Sequence, residues 1–488
     1  MADKANQKDC GKEGAYYHLD IGATKARGPI QWRRFANLQD PPMTAARTLA
    51  EFALGLRYED IPATVLERAR ISLIDTVGAA SFGAHLPWSR MVAAYGSSNS
   101  APGEAQILGT SLRVRAPFAA LANGAQAHAF ELDSLCQPSV GVHPGASLTA
   151  PALAVGQELG ASGKALMTAF VAGFEVMYRI GDAARHSSEH LGFHAPGLTG
   201  VFGGAVVAGC LHGFDVDRMA HALGIGGSMC SGLIEFSKSG GGMVKRLHLG
   251  RAAEGGVLAA SLARDGFTGP AQVFEGKFGF LTAFARDAEP QRLTASLGTV
   301  WHTEKAMLKR YACHITAHVP VTAILDLKAQ HGITGADVAS VTVWGNEKMV
   351  SHHTINEPGD LAMAQYSTPF CVALALHRDP LDPRNFSEEN LQDAAIRETC
   401  RNVSVQVLPE SEQKNRFSCR LVVKLKNGRE LDILAHDFEG MPHRPLTRDA
   451  LGAKFRRLTT GIAGFEDDRV LTRLHAIADV ANVRTLFD

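Results

Sequence analysis

The chain has 488 residues, 45% of them hydrophobic, and balances 49 basic against 49 acidic side chains. A chain of this length can bury a large core and usually exceeds one compact domain, so two domains are expected. Zero net charge leaves no electrostatic footprint for nucleic acid or an anionic membrane, although local basic patches can still bind small anions.

Residues Met1 to Pro42 are polar, mixed in charge and without periodicity, which predicts a flexible tail or an arm draped over a partner subunit. They carry no apolar h-region, so no signal peptide is read there. From Thr44 the pattern turns helical. Ala46, Leu49, Phe52 and Ala53 recur at helical spacing, Pro62 can open a second helix, and Leu66–Phe82 buries Ile71, Ile74, Val77 and Ala80 along one face. Helices over Arg113–Ala129 and Ser147–Leu159 continue the theme. Between them runs AHAFELDSLCQPSVGVHPG, a loop punctuated by Gly and Pro that sets Asp133 ten residues before His143. A carboxylate and an imidazole on an irregular scaffold at the end of an apolar core suit acid/base chemistry; a His beside a Pro also suits plain hydrogen bonding in a loop.

Lys164–Ile180, Leu198–Leu211 and Val257–Arg264 are dense in Ala, Gly and Val, so their backbones can approach closely in a compact helical domain. Leu198–Leu211 is the nearest approach to a membrane span, and it falls short of the roughly eighteen residues required. Asp215 and Asp217 are expected caps for a helix through Met219–Leu223, with Gly224 as its stop. GIGGSMCSG and KSGGGMVK are glycine-rich, yet neither fits GxxxxGK[ST] nor follows a strand, which argues against nucleotide binding. The eight cysteines (10, 136, 210, 230, 313, 371, 400 and 419) form no CxxC pair and read as reduced thiols. Cys136 and Cys313 fall near the candidate loops, but a free Cys is more often a small buried hydrophobe than a nucleophile.

After about Leu308 the composition shifts towards strands. Val338–Trp344, Val403–Leu408, Cys419–Lys426 and Glu430–Ala435 have β-branched, alternating character, with Asn427-Gly428 as a hairpin turn. Helices are expected at Val319–Gln330 and near Gln365–Leu376, and again from Thr447 onward. This order predicts a mainly α fold: a large all-helical domain built from residues 43–307 and 441–488, interrupted by a smaller α+β lid over residues 308–440.

Further polar positions fall at loop-like breaks. GFHAPG carries His194, SGGGMVKRLHLG carries Lys245, MLKRYACHITAH carries Lys309, Arg310, His314 and His318, and AQYSTPF carries Tyr366. The loop HAFELD…HPG, then GFH.PG, K.LH.G and KR[YF].[AC]H, occur here in the order found in the MmgE/PrpD family, which the chain resembles from about Thr44 to its C-terminus. That family includes 2-methylcitrate dehydratases, cis-aconitate decarboxylases and an iminodisuccinate epimerase. The resemblance implies the same two-part architecture, usually dimeric, and chemistry next to a carboxylate through an enolate-like intermediate.

Carried over residue by residue, the resemblance implies catalytic roles for Asp133, His143, His194, Lys245, Lys309 and Tyr366, the last a lid tyrosine. It implies substrate binding by Lys245, Lys309, Arg310 and His314. Imidazole titrates near neutral pH, so His143 is the first candidate for proton transfer, with Asp133 either orienting it or acting as the base. The lysines supply compact positive charge for carboxylates and a developing enolate. Many relatives continue the first Asp as DDT or DDS, whereas this chain reads Asp133-Ser134-Leu135-Cys136, which puts substrate identity in question.

The expected activity is therefore a metal-independent lyase of a small di- or tricarboxylic acid, by dehydration or decarboxylation, with dehydration slightly favoured by family frequency. Epimerisation is the alternative within the family. A metal hydrolase is a second, because His314 and His318 fall four apart and His352-His353 could add a ligand, although the Glu of HExxH is missing. A carboxylate-binding protein without turnover is a third. No cofactor and no metal are expected, nor any nucleic-acid or membrane partner; a cytoplasmic homodimer is.

Overall fold

The periodicity that begins at Thr44 becomes the helix Ala45–Gly55, capped by the Thr44 hydroxyl, which accepts from the Arg47 amide. A computed structural model describes residues 43–488, so the expected tail, and Cys10 with it, lies outside the described residues. The fold is mainly α. Helices Ala63–Gly83, Ala116–Ala127, Gly163–Ala184, Pro196–Leu211 and Met243–Arg264 pack against one another, and residues 43–488 make a single compact unit. Small residues let these helices close on one another: a Cβ at Gly256 would lie 2.6 Å from the backbone nitrogen of Ala205. Among the described residues no helix is long and apolar enough to cross a membrane.

Several boundaries differ from the sequence expectation for local reasons. The helix before the Asp133 loop starts at Ala116, with Pro117 in its first turn, because Arg113–Val114 pairs antiparallel with Pro102–Gln106. After the loop, Gly145–Thr149 forms a wide π-type turn before the helix Ala150–Leu159, where Pro151 can donate no hydrogen bond. Asp215 is the cap of the helix Val216–Gly227, but that helix runs through Gly224, which has no side chain because the Gly269-Pro270 backbone packs against it. The helix expected near Gln365–Leu376 is two, Leu361–Tyr366 and Thr368–His377. They break at Ser367, whose hydroxyl accepts from the Phe370 amide at 2.9 Å.

The predicted strands form one four-stranded sheet in the spatial order Val403–Val407, Val338–Gly345, Cys419–Leu425, Glu430–Ala435. The first pair is parallel and the others antiparallel. Gly428 has φ +87°, as the hairpin turn requires. One apolar cluster gathers the sheet with helices His318–His331 and Thr368–His377, and reaches Phe130 and Leu132 of the Asp133 loop. The C-terminal helices return to the start of the chain: Leu451, Phe455 and Leu474 share a core with Leu73, Ile74 and Val77.

Candidate active site

The Asp133 loop leaves the buried end of the Ala116–Ala127 helix and is fixed at three points. Leu135 and Cys136 pair antiparallel with Met307 and Ala306, which draws the strand leading to Lys309 alongside Asp133. Gly141, at φ +70°, lies against the Ala195 carbonyl, and its own carbonyl accepts from the Thr199 hydroxyl at 2.7 Å, so the loop locks onto the His194 turn. Ser134 ties the loop to itself and to the Ala63–Gly83 helix: its Oγ accepts from the Gly145 amide at 3.0 Å and meets Ser72 Oγ at 3.1 Å.

Asp133 is fully buried and its Oδ2 receives two imidazoles, His143 Nδ1 at 2.7 Å and His128 Nδ1 at 2.9 Å. A carboxylate only accepts, so both rings carry a proton on Nδ1. Burial opposes the Asp133 charge, but His128, His143 and Lys309 hold its carboxyl well below the usual range. Burial pushes His128 well down despite Asp133, leaving it neutral. His143 differs in access: its side chain is 18% exposed, whereas that of His128 is 1% exposed.

On the other side of this pair, Lys245 and Lys309 converge. Lys309 Nζ lies 2.7 Å from Glu131 Oε2 and 3.8 Å from Asp133 Oδ1. Lys245 Nζ contacts the other oxygen of Glu131 and sits 5.1 Å from the centre of the Tyr366 ring. Burial lowers the pKa of both lysines; the neighbouring cations Lys309 and Arg246 add to this at Lys245, and Asp133 opposes it at Lys309.

Two further imidazoles complete the polar cluster. His194 Nδ1 is 3.0 Å from His248 Nδ1, one ring donating to the other, and burial with three neighbouring histidines holds His194 well below its ordinary pKa. His314 Nδ1 accepts from the Thr316 amide at 3.4 Å and lies 2.9 Å from the Thr316 hydroxyl, which leaves the ring proton on Nε2. Its ring stacks on His353 at 4.2 Å and lies 5.0 Å from Tyr366, while His353 Nδ1 donates to the Tyr366 carbonyl at 2.8 Å.

The structure therefore draws Asp133, His143, His194, Lys245, Lys309, His314 and Tyr366 into one chain of contacts. Arg310 is held elsewhere: its guanidinium pairs with Glu439 at 2.5 Å and lines a cavity of about 90 Å³ with Leu446, Lys454 and Arg457. His318 Nε2 accepts from the Arg310 and Tyr311 amides at 3.1 and 3.3 Å, and the His314 and His353 rings face one another, so the anticipated metal ligands do not converge. Among the described residues the group with metal-ligand spacing is His128, Asp133 and His143, whose donor atoms lie within 4.8 Å of one another. Burial pushes the Cys136 thiol up, away from a nucleophilic thiolate.

Sequence reasoning missed His128, Glu131 and His248, although each stands inside a motif already singled out. It also missed Lys454 and Asp75, for which no local signal exists. Lys454, from the helix Arg448–Thr459, pairs with Asp75 Oδ1 at 2.5 Å and donates to the carbonyls of Lys309 at 2.6 Å and Leu132 at 3.4 Å. One ammonium thus ties both active-site segments to the first and last parts of the fold.

The MmgE/PrpD N-terminal domain matches residues 47–293 and the MmgE/PrpD C-terminal domain residues 311–479. The chain belongs to the MmgE/PrpD family. A cis-aconitate decarboxylase of Aspergillus terreus is 35% identical over 298 residues, 58% of this chain and 60% of that relative, so this chain matches only three fifths of its length. A cis-aconitate decarboxylase-like protein of Aspergillus oryzae is 27% identical across 91% of this chain and 98% of its own. The Homo sapiens cis-aconitate decarboxylase is 25% identical across 82% and 85%.

Proposed function

We propose that this chain is a metal-independent lyase that decarboxylates cis-aconitate or a close tricarboxylate analogue, with His143 as the proton donor. The observation that carries the reading is His143 Nδ1 at 2.7 Å from the buried Asp133 carboxylate, which leaves the partly exposed ring's Nε2 free of Asp133, with Lys309 Nζ 3.8 Å from the other oxygen of that carboxylate. The relatives' names favour decarboxylation over the dehydration that family frequency suggested.

Loss of carbon dioxide from a carboxylate one carbon removed from a double bond leaves an electron pair that moves through that bond to the carbon beside another carboxylate. The result is an extended enolate. Lys245, Lys309 and the Nε2–H of His314 supply charge and hydrogen bonds to its oxygens. Protonated His143 then gives its Nε2 proton to the carbanionic carbon, Asp133 having stabilised the imidazolium, and solvent restores the proton. His194 and Tyr366 shape the pocket wall. A cation at His128, Asp133 and His143 would meet the Lys309 ammonium 3.8 Å from Asp133 Oδ1, which argues against a metal there.

We further propose that residues 308–440 act as a lid, because Lys309, His314 and Tyr366 belong to that segment and the other site residues to the helical part, and that the protein works as a homodimer. Assays of purified protein with cis-aconitate, 2-methylcitrate and iminodisuccinate, each with and without a chelator, test the reading. Carbon dioxide release from cis-aconitate in both conditions is expected; water loss, epimerisation or chelator-sensitive turnover would replace it.

A further inference from the structure

Glu131 has no part in the proton transfer above, yet it occupies the centre of the charge cluster. It is one of three described non-glycine residues with positive φ, at +57°, a conformation that persists only where the surroundings enforce it. Lys454 grips the next carbonyl in the chain, that of Leu132, at 3.4 Å. The strained backbone aims a fully buried carboxylate so that Oε1 meets Lys245 and Oε2 meets Lys309, the latter at 2.7 Å. One carboxylate thus spans the two ammoniums that the proposed function assigns to substrate, in the geometry an incoming carboxylate would adopt.

We propose that Glu131 is an internal competitor for this lysine cradle and a determinant of specificity: a substrate carboxylate binds by replacing it. This inference rests on the functional reading above for the identity of the ligand. Exchange keeps one carboxylate bridging the paired ammoniums, so neither loses its anionic contact. It also sets a threshold. Glu131 is tethered, with an effective concentration of about millimolar or more, so a ligand with one carboxylate gains little by displacing it. A polycarboxylate gains further contacts, such as the His314 Nε2–H, and can win.

Calorimetric titration of the whole protein with tricarballylate, a saturated tricarboxylate with no double bond to accept electrons, and with acetate tests this. Glu131→Gln keeps the shape and removes the charge. It is expected to bind tricarballylate about tenfold or more tightly than the unmodified protein, with acetate binding becoming measurable. Glu131→Asp, too short to span both lysines, should fall between the two and provides the comparison if the Gln variant does not fold. Unchanged or weaker tricarballylate binding in the variants, or none in any form, overturns the proposal. Tighter binding without turnover of cis-aconitate by the unmodified protein supports the cradle and refutes the decarboxylase reading. Turnover with unaltered variant affinities does the reverse.

Discussion

The ammonium of Lys454 lies 2.6 Å from the carbonyl oxygen of Lys309, some 145 residues earlier in the chain. Its charge partner, Asp75, comes from the Ala63–Gly83 helix, so a buried ion pair positions the backbone of two segments that carry reactive groups. Lys454→Met alone should destabilise the protein by about 3–5 kcal/mol, because it strands the Asp75 charge. The double variant Asp75→Leu with Lys454→Met should recover most of that stability while kcat stays reduced, the two carbonyls having lost their donor. Recovery of kcat together with denaturant stability would make the pair merely structural.

His143→Ala should lower kcat by about 10²–10⁴-fold with little change in melting temperature, the usual yield of a general acid. Asp133→Asn should depress kcat as well, because a neutral amide no longer stabilises the imidazolium. Steady-state kinetics with circular dichroism melts check both, and full activity in His143→Ala would return that ring to a loop-bonding role.

His128, His194 and His314 are each held well below the ordinary imidazole pKa, burial being the largest cause. In the unfolded chain they titrate near 6.5, so below about pH 6.5 the unfolded state binds more protons and stability must fall as pH falls. Each group adds a slope of up to about 1.4 kcal/mol per pH unit. Asp75, whose carboxyl is raised chiefly by burial, contributes with opposite sign, but it is one group against three. Urea midpoints from pH 8 to pH 5 should fall most steeply below about 6.5; a rise across that lower range would mean the histidines are charged in the fold.

Gly141→Ala tests the loop anchor. A side chain at φ +70° is strained and would meet the Ala195 carbonyl, so the loop has to move away from the His194 turn. We expect a loss of about 1–3 kcal/mol in stability and a fall in kcat larger than the change in KM. Activity unchanged alongside the stability loss would uncouple the loop position from chemistry.

The parts of this fold read from sequence are those with local signals. Alternating Val, Ile and Leu gave the sheet strands to within a residue or two, and the Asn427-Gly428 turn lies where expected. Motif order picked out most of the polar side chains that the structure brings together, because those residues sit in short, distinctive segments. What stayed hidden depends on partners far away in sequence. Pro117 and the pairing of Arg113–Val114 shorten one helix, and Gly224 lies mid-helix because another backbone packs on it. Arg310 follows Lys309 but turns to Glu439, and Lys454 matters only because two distant carbonyls meet it.

On the proposed function, chelated, metal-free protein should decarboxylate a tricarboxylate with His143 delivering the proton. Proton NMR of purified protein with cis-aconitate and excess chelator in deuterium oxide measures this directly. We expect carbon dioxide release with one solvent deuteron placed in each product molecule, and loss of that product in His143→Ala. No turnover under chelation, with recovery on adding zinc or iron, would contradict it.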